Sequence, residues 1–296
     1  MKSFKKIAVS VFTALSVLSL SACAASSPNT ASTENAPAKA PAAKPVTVKI
    51  GTTSDEPRIW NAVQSELDKA NANIKIELVN LQGGEPNRNL AAGEIDLNSF
   101  QHYAYFNKNK EDLGLDLTSI GDTLIVPLSL FSDKHKALDE IPDGGKIAIP
   151  DDPTNQGRAL NVLKNAGLIE IAPEAGVNGL IKDITSNPKN IDFIEIVAAQ
   201  IVPALPDVDA AIINCGYATD AGLDPVNGPI YKDEIDLNDP QFQPFINLIA
   251  ARTADKDNEN YKKVVDAYHT KAAADAINEV YKFAALPAFT YDASEE

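Results

Sequence analysis

Apolar and polar residues alternate along residues 46–53, VTVKIGTT, and this two-residue period predicts a strand. The period then changes. Over residues 57–70, Ile59, Trp60, Val63 and Leu67 share one side of a 3.6-residue repeat, with Pro57 in the first turn, which predicts an amphipathic helix. Alternation returns in IKIELVNL, residues 74–81; a short helix is expected over 87–92 and a third strand over 95–100. Strands separated by helices predict a parallel sheet with helices on its faces. Residues 122–133, DTLIVPLSLFSD, form a long apolar run interrupted by Pro127. Proline is awkward inside a central strand, and it suits a chain passing between two lobes. A second series follows: strand 146–150, helix 155–166, strand 193–197, a helix around Gln200, strand 210–214. An irregular stretch leads to a strand over 246–254 and closing helices over 259–269 and 271–283. The fold class expected is α/β, with a first lobe of residues 46–127 plus 237–296 and a second of residues 128–236. Two crossings join them, and a cleft between such lobes is a usual ligand position.

The 296-residue chain is 44% apolar, enough for a large core. Its 41 acidic and 26 basic residues give a net charge of -15, which argues against nucleic acid as a partner. Two cysteines, Cys23 and Cys215, exclude a disulfide framework. The N-terminus, MKSFKKIAVSVFTALSVLSLSAC, has a basic start and an apolar stretch over 7–20. That stretch is shorter than the ~20 apolar residues of a membrane span, so residues 1–22 are expected to be a secretory signal. Leu20-Ser21-Ala22-Cys23 resembles the bacterial lipobox, which implies cleavage before Cys23 and lipidation of its thiol. An ordinary signal with a chance cysteine is the alternative, and a Cys23–Cys215 disulfide stays open. Cleavage removes Lys2, Lys5 and Lys6 and no acids, taking the charge from -15 to -18. Residues 23–45 lack large apolar side chains apart from their proline rings and are expected to tether a lipid anchor to the folded body. The expected location is the extracytoplasmic face of the cell membrane.

Three segments gather candidate chemistry. In IPDDPTNQGRAL, residues 149–160, a strand ends before a helix that Thr154 or Asn155 can cap. Free N–H groups in that first turn attract an anion. Gly157 leaves space for close approach, and Arg158, one of four arginines, adds a fork suited to a carboxylate. A surface arginine behind an ordinary cap is the alternative. DLNSFQHYAYF, residues 96–106, collects Asn98, Phe100, Gln101, His102, Tyr103, Tyr105 and Phe106 beyond a strand. Such a set can wall a pocket or simply pack a core. In IINCGYATDAGLDP, residues 212–225, Asn214 offers an amide at a strand end, and Cys215 reads as a buried small residue rather than a nucleophile.

Taken in order and spacing, the three segments resemble the NlpA/MetQ family, lipoproteins that bind methionine and deliver it to an ABC importer. The similarity runs from about residue 46 to the C-terminus. It implies a two-lobed, periplasmic-binding-protein-like fold (type II) that closes on its ligand. It implies Phe100 as an aromatic wall, and His102, Tyr105, Asn155 and Arg158 as pocket residues, Arg158 on the amino-acid carboxylate. Asn214 would help to hold the head group. Partners implied are an amino acid, foremost methionine, and an ABC transporter permease; a monomer is expected, without cofactor. The chain departs from the family pattern at Gly83, where an aromatic residue is usual, and at Ser99 and Gly216. A different amino acid or a short peptide therefore stays open as ligand.

Other classes fit less well. The sequence contains no G-x-S-x-G, H-E-x-x-H or P-loop, so an enzyme is not expected. His102, His135 and His269 lie far apart, His135 is expected to be exposed, and no metal site is expected. A surface adhesin is compatible with an anchor and tether, and ligand retention distinguishes it from a binding protein.

Overall fold

In the computed structural model, which describes residues 44–294, the alternating segments build two sheets of five strands each. The expected signal segment, Cys23 and nearly all of the tether lie outside the described residues. The first sheet starts with β1 (Val46–Thr52), which pairs in parallel with β2 (Ile74–Asn80) and β3 (Leu97–His102). α1 (Arg58–Lys69) joins β1 to β2 and buries Ile59, Trp60, Val63 and Leu67, the stripe its period requires. α2 (Glu85–Ala92) joins β2 to β3 and ends at Gly93, whose φ of 76° makes the left-handed cap for which glycine is suited. β3 runs two residues past its expected end at Phe100, and α3 (Tyr103–Leu113) follows without a break. No helix was expected there, because only Phe106 of α3 is buried and no apolar stripe marks it. β4 (Leu117–Asp122) completes this run.

The chain then crosses through β5 (Leu124–Ile125), with Pro127 falling between β5 and β6 (Leu128–Phe131) rather than inside a strand. β7 (Lys146–Pro150) leads to α4 (Pro153–Asn165). A small pair, β8 (Glu170–Ile171) and β9 (Ile184–Ser186), precedes β10 (Asp192–Ile196), α5 (Ile201–Ala204), β11 (Ala210–Asn214), α6 (Cys215–Asp220) and β12 (Tyr231–Lys232). The second sheet has the order β10-β7-β11-β6-β12; β7 is parallel to β10 and β11, while β6 is antiparallel to β11 and β12.

Returning, β13 (Asn247–Arg252) inserts antiparallel between β3 and β4, giving the first sheet the order β2-β1-β3-β13-β4. Both sheets are therefore mixed, not purely parallel, because β6 and β13 each enter a lobe from the other one. α7 (Glu259–Tyr268) and α8 (Lys271–Val280) cover the first sheet, and β14 (Leu286–Pro287) pairs with β5. Alternation sorts side chains to opposite faces. Ile147 and Ile149 join one core of the second lobe, with Leu160 and Leu163 of α4; Ala148, Ala211 and Ile213 join the other, with Ile201 and Leu205. In the first lobe, Val48, Ile50 and Trp60 lie on one side of the sheet, and Leu90, Phe106 and Leu248 on the other.

Candidate functional site

A cavity of about 530 Å³ lies between the lobes, within the ~300–1,000 Å³ range of small-molecule sites. Phe100, His102, Tyr105, Asn155, Arg158 and Asn214 all line it. They converge because β3, β7 and β11 end at the cleft and each leads into a helix, β3 and β11 directly and β7 after Asp151-Asp152.

From the first lobe, β3 and the start of α3 deliver Phe100, His102 and Tyr105. Phe100 and Tyr105 meet edge to face at 6.0 Å. His102 caps α3, its Nδ1 accepting the Tyr105 N–H at 3.1 Å. The imidazole proton therefore sits on Nε2, which donates to Asn155 Oδ1 at 3.2 Å across the cleft. Burial, and then the charge of Arg158, hold the His102 pKa down to about 4, so the ring is neutral near pH 7.

From the second lobe, α4 begins differently from the sequence expectation. Its cap is Asp152, not Thr154 or Asn155: the carboxylate accepts the Asn155 N–H at 3.0 Å, the Thr154 hydroxyl at 2.7 Å and Asn155 Nδ2 at 2.9 Å. A carboxylate of the protein's own thus already sits against the positive end of the helix. Gly157 also serves another purpose than close ligand approach. A Cβ there would meet the Val177 carbonyl oxygen at 2.5 Å, so glycine lets α4 pack against the segment 173–178.

Arg158 is buried, at 4% exposure. Its Nη2 donates to the Val126 carbonyl at 2.7 Å and to Asp233 Oδ2 at 3.0 Å, and its guanidinium carbon lies 4.7 Å from the centroid of the Phe245 ring. The fork is thus partly engaged within the protein, whereas Nε is buried with no partner among the described residues. Asn155 Oδ1 also accepts Asn214 Nδ2 at 2.8 Å. That bond fixes the Asn214 amide and leaves its Oδ1 as a buried acceptor without a partner. One donor and one acceptor are therefore buried without partners on side chains that line the cavity.

Gly83, Ser99 and Gly216 line the same cavity, and nothing lies within 4 Å of where a Cβ on Gly83 would be. Cys215 also lines it as a buried free thiol, whose pKa burial pushes up to about 12. The lobes also touch through Ser54 Oγ donating to Asp220 Oδ1 at 2.7 Å, both residues lining the cavity, and through Lys282 paired with Asp224 at 3.1 Å. His135 is partly buried rather than exposed, 3.2 Å from Asp209 Oδ1. Among the described residues no group of three or more His, Cys, Asp or Glu side chains is placed to hold a metal ion. Asp233, Val126 and Phe245 were not foreseen; they are distant in sequence from Arg158 and carry no motif.

Comparison with known proteins gives this geometry a context. The D-methionine-binding lipoprotein MetQ of Escherichia coli K12 is 36% identical over 242 residues, covering 81% of this chain and 87% of that protein. A nutrient binding protein from Burkholderia cenocepacia, solved bound to methionine, superposes with a TM-score of 0.74 at 36% identity, covering 82% of this chain and 100% of that one. The substrate binding protein of a methionine transporter from Streptococcus pneumoniae gives 0.74 at 33% identity, covering 81% and 95%. The profile of the NlpA lipoprotein family matches residues 48–289, nearly all of the folded body. The chain belongs to the NlpA lipoprotein family.

Proposed function

We propose that this chain is the extracytoplasmic substrate-binding lipoprotein of an ABC importer, held at the cell membrane through Cys23, and that its ligand is methionine. One observation carries the proposal: Arg158 Nε and Asn214 Oδ1 are buried polar atoms of opposite sense, both unpartnered, on side chains lining one cavity between two lobes. Leaving such atoms unsatisfied costs about 1–3 kcal/mol each. An α-amino acid supplies both missing partners, its carboxylate accepting from Arg158 and its ammonium donating to Asn214. The side chain then rests against Phe100, Tyr105 and Trp60, which line the same cavity. The relatives named for methionine make a thioether the leading side chain.

The mechanism is capture by population shift. An open form binds the head group on the lobe that carries Arg158 and Asn214, and contacts from His102 and Tyr105 of the other lobe then favour closure. The closed monomer, with lobes 46–127 plus 237–296 and 128–236, docks on a permease. The ligand leaves unchanged: burial keeps the Cys215 thiol protonated near pH 7, so it is not an activated nucleophile.

The test is mass spectrometry of small molecules released from the purified protein by denaturation, followed by calorimetric titration of the stripped protein. Methionine released and rebound supports the reading. Another amino acid or a dipeptide would mean that the open space beside Gly83 has reassigned the side-chain pocket, and absence of any ligand would reject the transport role.

A further inference from the structure

Asp233 follows β12 where the chain starts back toward the first lobe, and its side chain is 6% exposed. Its Oδ1 accepts the N–H of Leu128, the first residue of β6, at 2.8 Å. Its Oδ2 accepts from Arg158 Nη2 at 3.0 Å, while the same Nη2 donates to Val126. Arg158 is thereby tied to both crossings, and a carboxylate balances its charge before any ligand enters.

The rest of the cavity does not restore a positive charge. Arg158 is the one Lys or Arg among its described lining residues, whereas Glu56, Asp151, Asp152 and Asp220 also line it. Glu56 is matched by Arg58 at 2.7 Å, but Asp151, Asp152 and Asp220 form no ion pair among the described residues. His102 is neutral near pH 7. A ligand with a carboxylate and no ammonium therefore brings a net charge into a cleft that has no uncompensated cation to meet it. A zwitterion brings its own countercharge.

We infer that Asp233 is a positioning residue that sets the charge specificity of the site: by neutralising and orienting Arg158, it makes the cleft accept net-neutral zwitterions and reject carboxylates that lack an ammonium group. The inference rests on the amino-acid reading above and deepens it.

Asp233→Asn keeps the side-chain shape and removes the charge; Asp233→Glu keeps the charge. Wild type and both variants are titrated calorimetrically with L-methionine, with 4-(methylthio)butanoate, which is methionine without its ammonium, and with L-methioninamide. The wild type binds the butanoate about a hundredfold more weakly than methionine, a gap built from the lost Asn214 contact and the unbalanced charge. In Asp233→Asn that gap narrows by about tenfold or more, because the removed charge no longer repels the anion, and the amide loses affinity relative to methionine. Asp233→Glu retains the wild-type gap, whatever its absolute affinities. A uniform loss for all three probes in Asp233→Asn, with the gap unchanged, overturns the inference and leaves Asp233 a merely structural residue. If Asp233→Asn does not fold by circular dichroism, the wild type still decides: butanoate binding within about tenfold of methionine overturns the inference. A wild type that binds none of the probes rejects the amino-acid reading and the inference with it, whereas a flat gap in a protein that binds methionine rejects the inference alone.

Discussion

Replacing Arg158 with alanine should damage the fold as well as the site. The side chains of Arg158 and Asp233 are 4% and 6% exposed, and they pair at 3.0 Å. Alanine removes the donor to Asp233 Oδ2 and to the Val126 carbonyl, leaving Asp233 with only the Leu128 N–H. Breaking one side of a buried pair costs about 3–5 kcal/mol, because the remaining charge is stranded. The lost face contact with Phe245 adds about 1 kcal/mol. At ~2–4 °C per kcal/mol for a body of this size, the ligand-free melting temperature should fall by roughly 10–20 °C. Scanning calorimetry of the ligand-free protein measures this. Adding Asp233→Asn to the alanine variant removes the stranded charge and should return about 2 kcal/mol, a cycle that isolates the pair. Methionine binding should weaken by about 2–4 kcal/mol through loss of the Nε donor. A melting temperature within a few degrees of wild type, or a double variant no more stable than the single one, would refute the reasoning that the pair is buried and coupled.

Acidification should destabilise the protein through His102. Its pKa is about 4 when folded against 6.5 ordinarily, so between those values the unfolded chain binds more protons; stability should fall by roughly 3 kcal/mol from pH 6.5 to 4. Urea unfolding at stepped pH measures the slope, and His102→Gln should flatten it. Trp60, the one tryptophan, lines the cavity and meets Tyr268 edge to face at 5.3 Å, so its emission should shift on adding methionine and stay fixed on adding a sugar. Gly157→Ala should cost about 1–3 kcal/mol by overpacking against the Val177 carbonyl, seen as a lower thermal midpoint.

Much of the fold was legible because its strands are half-buried and its covering helices amphipathic. The α1 stripe and the alternation of β1 and β2 are visible in the order of residues alone, and the six candidate site residues cluster because strand ends meet at the cleft. α3 was not legible: it presents almost nothing to a core, so no apolar period marks it. The cap of α4 had a signal that outweighs its neighbours, since Pro153 sits in the first turn and makes the preceding Asp152 the cap. Asp233 had none. It lies 75 residues from Arg158 in a charged, irregular stretch, and only the tertiary fold brings them together. The burial of His135 is of the same kind, resting on Asp209 from a distant turn.

The position of β13 has a consequence for how the molecule assembles. All five strands of the second sheet come from one continuous stretch, residues 128–232, so that lobe can form once its own segment has emerged. The first sheet cannot. β13 separates β3 from β4, so from the end of β4 at Asp122 until Asn247, 125 residues later, there is an open slot between two unpaired strand edges, closed only by Asn247–Arg252. Such long-range pairing slows folding and exposes edges to misassociation. The lobe nearest the N-terminus is therefore expected to be the last to become native, and its waiting edges are where a chaperone has most reason to act.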